Sequence, residues 1–243
     1  MNGVNPLAGK TAVVSGGSGG IGGAIVRSLQ KAGVVATSLD LSSPPGNDIH
    51  WQHCDVCSDD SVGSAVRQFF EQNGRLDLVI HAAGISREAV VWKLAVEDWD
   101  IIQAVTLRGA FLLLRHAIPL MRQGQGGRVV LIGSINGSRG KFGTSAYSAS
   151  KAGLIGLAKS VARETGRFGI LVNVIEPGWV RTPLTEALPA AARQAAEAES
   201  VLGSLLEVSD VASAVLFLCG PGASRITGQI LRVDAGQFLG GGT

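Results

Sequence analysis

Charge of either sign is sparse in this chain: charged residues are 16% of 243, the formal net charge is +2, and Lys and Arg nowhere gather into a run. An extended footprint on a phosphate backbone is thereby excluded, and nucleic acid with it. No uninterrupted apolar stretch reaches the ~18 residues that span a bilayer. Met1-Asn2-Gly3-Val4-Asn5-Pro6 has no basic-then-apolar export pattern. A cytoplasmic protein with no membrane partner is therefore expected. Cysteine is short as well: three is an odd number and fits reduced thiols better than a disulfide framework. Around two of them, His50, His53, Cys54 and Cys57 suggest a metal cluster. The stretch reads as a strand, however, in which His50 and Cys54 diverge from His53 and Cys57. No second Cys/His pair completes a tetrahedral site, and no metal is expected. Tyrosine is scarcest of all, with Tyr147 alone.

What is present is glycine and an apolar core. The 34 glycines fall at element ends and in short loops without a period, which excludes a collagen-like or low-complexity chain. With 46% hydrophobic residues the chain can bury one substantial core, and residues 1–243 are expected to form a single domain. Strand and helix patterns alternate throughout. Strands are expected at Thr11 to Ser15, Val34 to Leu39, Ile49 to Cys54, Leu76 to Ala82, Arg128 to Ser134, Ile170 to Ile175 and Gln229 to Val233. Helices are expected at Ile21 to Ala32, Ser58 to Asn73, around Val96 to Met121, at Tyr147 to Arg167, and at Ser209 to Leu218 with Ser209 as its cap. This alternation specifies an α/β fold, a doubly wound parallel sheet with helices on both faces. A ligand crevice then lies at the carboxyl ends of the strands, where Ser15, Asp40, Asp55, Ala82, Ser134 and Pro177 converge.

Two motifs stand at those ends. The first strand leaves through Ser15-Gly16-Gly17-Ser18-Gly19-Gly20-Ile21-Gly22. Gly16, Gly20 and Gly22 let the backbone turn tightly and approach a pyrophosphate, to which the following helix offers N–H groups and a partial positive charge. Asp40 ends the second strand about twenty residues later, where a carboxylate accepts hydrogen bonds from a ribose. With no Lys or Arg in Gly16 to Gly20 or in Leu41-Ser42-Ser43 to neutralise a 2′-phosphate, NAD is favoured over NADP. The second motif is Tyr147-Ser148-Ala149-Ser150-Lys151. Residues four apart share a helix face, so the Lys151 ammonium reaches the Tyr147 hydroxyl and is expected to lower its pKa. That makes the phenol usable as an acid or base in alcohol and ketone chemistry.

Together these residues resemble the short-chain dehydrogenase/reductase family over essentially the whole chain, from Leu7 to about Gln237, and most of all its 3-oxoacyl reductase-type members. The resemblance rests on Gly16/Gly20/Gly22, Asp55-Val56, Ala82-Ala83-Gly84, Ser134, Tyr147/Lys151, Asn173, Pro177-Gly178-x-Val180-x-Thr182, Ile226-Thr227-Gly228-Gln229 and Val233-Asp234. It implies a Rossmann-type domain. Asp55 and Val56 would border the adenine, Ala82, Ala83 and Gly84 would line the cofactor groove, and Val180 and Thr182 would meet the nicotinamide carboxamide. Ser15, Ser18, Ile21, Pro177 and Gly178 complete the expected cofactor set. Tyr147 would exchange a proton with the substrate oxygen while hydride passes between substrate and NAD. Ser134 would hold that oxygen, and Lys151 would also bind the nicotinamide ribose. A homo-oligomer, tetramer or dimer, is implied too.

Departures from the family pattern fall behind the tyrosine. Thr106 stands where the family commonly has an asparagine that holds a relay water, and His81-Ala82-Ala83-Gly84 replaces Asn-Asn-Ala-Gly. The substrate lobe is expected at about 183–206, and its single basic residue, Arg193, favours an uncharged, apolar or cyclic alcohol or ketone. Positions where carrier-protein reductases often present docking arginines are Gln125 and Phe168. Three readings stay open: an NAD-dependent alcohol dehydrogenase/ketone reductase, a 3-oxoacyl thioester reductase, and a weakly active nucleotide-binding subunit of an assembly.

Overall fold

The computed structural model of the chain describes residues 5–46, 48–186 and 189–240. Its first strand, β1 (Thr11–Ser15), is buried at every position, as Thr-Ala-Val-Val-Ser must be when both sheet faces are covered. The chain passes through α1 (Gly20–Lys31) to β2 (Val35–Asp40) and β3 (His50–His53), each parallel to the last. It then returns through α2 (Asp59–Asn73) to β4 (Leu78–His81), on the other side of β1. Beyond it run α3 (Val96–Gln103), a π turn at Ala104–Arg108, α4 (Gly109–Met121), β5 (Gly127–Ile132), α5 (Ile135–Arg139), α6 (Ser145–Thr165) and β6 (Ile170–Pro177). Short helices α7 (Pro183–Glu186) and α8 (Ala190–Ala198) precede α9 (Val208–Cys219) and β7 (Ile230–Val233).

All seven strands are parallel, in the order β3-β2-β1-β4-β5-β6-β7. The direction of winding reverses between β1 and β4, so the switch point, with Ser15 beside His81, opens the crevice expected for a ligand. Strand alternation sends Val13, Val79, Leu131 and Val174 to one core with Phe69, Leu113 and Leu154. Val14, Ile80, Val130 and Ile175 go to the other, with Ile25, Leu29 and Val215. The doubly wound α/β sheet read from the sequence is therefore the fold.

Several boundaries differ from the sequence reading. The run Val96–Met121 is helical throughout, and it is long and apolar enough by length and composition to cross a membrane. Its inner face, Ile102, Thr106, Ala110 and Leu113, is buried in the protein. The helix Val208–Cys219 is capped by Glu207 in a reciprocal capping box, with the Asp210 carboxylate accepting the Glu207 N–H at 2.8 Å; Ser209, expected as the cap, lies inside the helix. The third strand ends at His53, so Cys54 and Cys57 both lie beyond it and strand alternation does not set their directions. Among the described residues no three His, Cys, Asp or Glu side chains gather into a metal-like group. Burial pushes the Cys54 thiol up to about 11. In the expected substrate lobe, Ala187 and Leu188 lie outside the described residues.

Candidate active site

The glycine turn is shaped by close packing. A Cβ on Gly16, whose φ is +69°, would stand 2.6 Å from the Ala83 nitrogen, and one on Gly22 would stand 2.1 Å from the Gly16 carbonyl oxygen. Only glycine lets the turn lie against Ala82-Ala83 and under its own helix. A Cβ on Gly20 would touch Thr182 Cγ2 at 3.0 Å, so the residues after Pro177-Gly178 roof the turn. Helix α1 opens with Gly19, makes no side-chain cap bond and has no acidic residue in its first turn. Its N–H groups and partial positive charge are thus free for phosphate oxygens. Asp40 takes the Ser18 and Leu41 N–H groups at 3.1 and 2.8 Å, which fixes its carboxylate beside the turn. These features fit a dinucleotide: a cradle that a Cβ would fill, a bare helix end, and a carboxylate at the ribose position.

Elsewhere the expected cofactor residues take structural roles as well. Asp55 Oδ1 accepts the Cys57 N–H at 2.8 Å and forms the turn into α2, while Val56 packs against Gly109. Ser15 is fully buried and its hydroxyl lies 2.7 Å from His81 Nδ1. The His81 Nε2 is 2.9 Å from the Thr106 carbonyl, which can only accept. The ring is therefore the Nε2–H tautomer, and its Nδ1 accepts the Ser15 proton. Burial drives this histidine down to about 3, with the Lys151 charge adding to the effect, so it is neutral at pH 7.

Ser134, Tyr147 and Lys151 come together at the ends of β5 and α6. Ser134 caps α5 by accepting the Asn136 N–H at 3.1 Å. Lys151 is 4% exposed, donates to the Ile132 carbonyl at 2.7 Å, and holds its ammonium 5.6 Å from the Tyr147 ring centroid. Burial lowers Lys151 to about 8, which leaves it mainly charged at neutral pH. Tyr147 departs from expectation: burial raises its pKa, a hydrogen bond with Ser134 works the other way, and Lys151 makes no resolved contribution. Desolvation of the phenolate therefore outweighs the nearby cation in the chain alone.

Behind this trio, Thr106 is wholly buried in the π turn and its hydroxyl has no hydrogen-bond partner among the described residues. It flanks Gly84 together with the Lys151 ammonium: a Cβ on Gly84 would lie 3.5 Å from Thr106 Oγ1 and 3.3 Å from Lys151 Nζ. A π turn displaces one residue from the regular helical ladder and is frequent at functional sites.

Three supporting side chains carried no signal in the sequence reading. Glu176, fully buried, takes Ser138 Oγ at 2.5 Å and Arg232 Nη2 at 3.1 Å. Gln237 Oε1 accepts the Trp179 N–H at 2.8 Å, and Arg139 donates to the Gln237 carbonyl at 3.1 Å. These contacts pin the segment after β6 from the far C-terminal side, a long-range arrangement that no local motif records.

Residues 16–237 match the family described as enoyl-(acyl carrier protein) reductase. The chain is 32% identical to the 3-oxoacyl-[acyl-carrier-protein] reductase FabG of Thermotoga maritima, over 96% of this chain and 99% of that protein. It is also 32% identical to the acetoacetyl-CoA reductase of an Acinetobacter species, over 95% and 98% respectively. Among solved structures, ligand-free Thermoplasma acidophilum aldohexose dehydrogenase superposes with a TM-score of 0.93 at 29% identity, covering 98% of this chain and 97% of that one. With its parallel sheet, glycine turn and Ser-Tyr-Lys cluster, the chain belongs to the short-chain dehydrogenase/reductase family and is most like its 3-oxoacyl reductases.

Proposed function

We propose that the chain is an NAD(H)-dependent oxidoreductase that interconverts a secondary alcohol and a ketone, the ketone being a 3-oxoacyl thioester or a compound of similar β-keto character. One observation carries this reading: a buried lysine and the lone tyrosine, four residues apart, meet Ser134 at the strand ends beside a glycine cradle. The names of the relatives favour the thioester over the apolar or cyclic ketone expected from the lobe. Asp40 supports NAD, since among the described residues it forms no ion pair with a Lys or Arg that could offset a 2′-phosphate.

A bound nicotinamide ring would give hydride to the substrate carbon in reduction and take it in oxidation. Gly16, Gly20, Gly22 and the α1 N-terminus would hold its phosphates, Asp40 the adenosine ribose, and Val180 and Thr182 its far end. Ser134 donates a hydrogen bond to the substrate oxygen and polarises it. The Tyr147 hydroxyl gives its proton to that oxygen as the alcohol forms, or takes it back in oxidation. Lys151, charged and desolvated, opposes the cost of the phenolate left behind. Thr106 Oγ1 and the Lys151 ammonium both lie near Gly84 without a hydrogen bond between them, so a proton would pass from one to the other through a bridging water. This reading places the enzyme in the cytoplasm as a homo-oligomer. The exposed Trp99, Ile101 and Phe111 along Val96–Met121 favour burial against a second copy.

A carrier-protein substrate has one specific observation in its favour. Phe168 lies between two guanidiniums, Arg122 at 4.0 Å and Arg167 at 4.7 Å from the ring centroid, so cations do stand at that position although the residue itself is not basic. The deciding assay follows nicotinamide absorbance with acetoacetyl-CoA, a carrier-bound 3-oxoacyl chain and simple ketones, each with NADH and NADPH. Tyr147→Phe is expected to abolish turnover while NADH binding by fluorescence stays intact; turnover retained in that variant rejects the mechanism.

A further inference from the structure

Beside the trio, the loop after β4 and the loop after α5 form a groove of about 260 Å³. The Ala89 N–H donates to the Gly143 carbonyl at 2.9 Å and joins the two loops. The walls are Val91, Trp92 and Phe142, which are 66%, 78% and 84% exposed, an apolar patch too concentrated to be incidental. Two features of the same groove are polar. Ser145 Oγ is buried without a hydrogen-bond partner, and Lys141, which lines the groove, forms no ion pair among the described residues. The Lys141 ammonium lies 5.1 Å from the Trp179 ring centroid, and among the described residues the buried Trp179 Nε1 has no hydrogen-bond partner. Trp179 directly follows Pro177-Gly178, so the cation bridges the groove and the segment expected at the nicotinamide. An ammonium without a carboxylate partner and a hydroxyl donor beside apolar walls call for an acceptor group on an apolar chain, and the cation selects a negative one.

We propose that this groove is a substrate subsite and that Lys141 is its specificity-determining residue, binding an anionic group, carboxylate or phosphate, joined to the ketone by an apolar chain. The proposal rests on the hydride-transfer reading above and names the substrate class of that site. Either the substrate's own chain end or a phosphate of its thioester carrier would supply the anion.

The experiment compares matched pairs with the full-length protein and NADH: 6-oxoheptanoate against its methyl ester, and acetoacetyl-CoA against acetoacetyl-N-acetylcysteamine, which has no phosphate. Wild type is expected to prefer the anionic member of at least one pair. Lys141→Met is expected to reduce that preference at least tenfold through KM, and Lys141→Arg to restore most of it. A loss confined to the oxo-acid pair assigns the anion to the chain end; a loss confined to the thioester pair assigns it to the carrier. Equal effects on both members of each pair, no effect, or a changed oligomeric state in place of a changed KM would overturn the subsite. If wild type reduces none of the four, the hydride-transfer reading fails instead. Quenching of tryptophan fluorescence by the oxo-acid but not by its ester, lost in Lys141→Met, then still decides the subsite, and its absence in wild type overturns it.

Discussion

Asp40 carries the sharpest consequence at the scale of single residues. Its carboxylate is oriented by two backbone N–H groups rather than by a cation, so its charge is free to accept a ribose hydroxyl and repel a phosphate. Asp40→Ala is expected to weaken NADH binding about tenfold, or about 1.4 kcal/mol, and to narrow the gap to NADPH; dissociation constants measured by fluorescence check both halves. That Asp40 and Ser134 stand at strand ends and Tyr147 and Lys151 on one helix was legible in the sequence, because apolar periodicity marks those elements. The direction of the Tyr147 shift was not legible, since it depends on how much water the folded protein removes from the phenol. Nor was the His81 bridge, which joins residues 66 and 25 positions away in the chain. Lys141 is a single residue without a motif, and only the folded loops give it a groove.

Elements read well from their periodicity and poorly at their ends. β1 and the long amphipathic helices stand where apolar spacing placed them, because both core layers enforce that spacing. The π turn was invisible, since one added residue inside the continuous helix Val96–Met121 leaves no compositional trace. Caps are equally local and easily misassigned, as Ser209 shows. Asp210 both closes the first turn of α9 and sets a negative charge at its N-terminus. Asp210→Ala is expected to cost about 1 kcal/mol, or roughly 2–4 °C in Tm. A calorimetric scan with an unchanged Tm would deny it that role.

Taken whole, the molecule should be acid-sensitive for a definable reason. His81 titrates near 6.5 when unfolded and near 3 when folded, so the unfolded chain binds the extra proton first. The stability this histidine contributes is complete above about pH 6.5 and is lost as pH falls toward 3, up to about 5 kcal/mol. Urea midpoints of wild type are therefore expected to drop more steeply between pH 6.5 and 4 than those of His81→Asn; parallel slopes would contradict a buried neutral ring. The uniform direction of the seven strands has a further, practical consequence. Residues leading into β1 enter at the pole opposite the chemistry, whereas Gln237 and its neighbours are bonded to Trp179 and Arg139 at the mouth itself. If the proposed site is right, a tag or fluorescent fusion belongs ahead of β1, because one inserted just after Gln237 would stand beside Trp179 and hinder turnover.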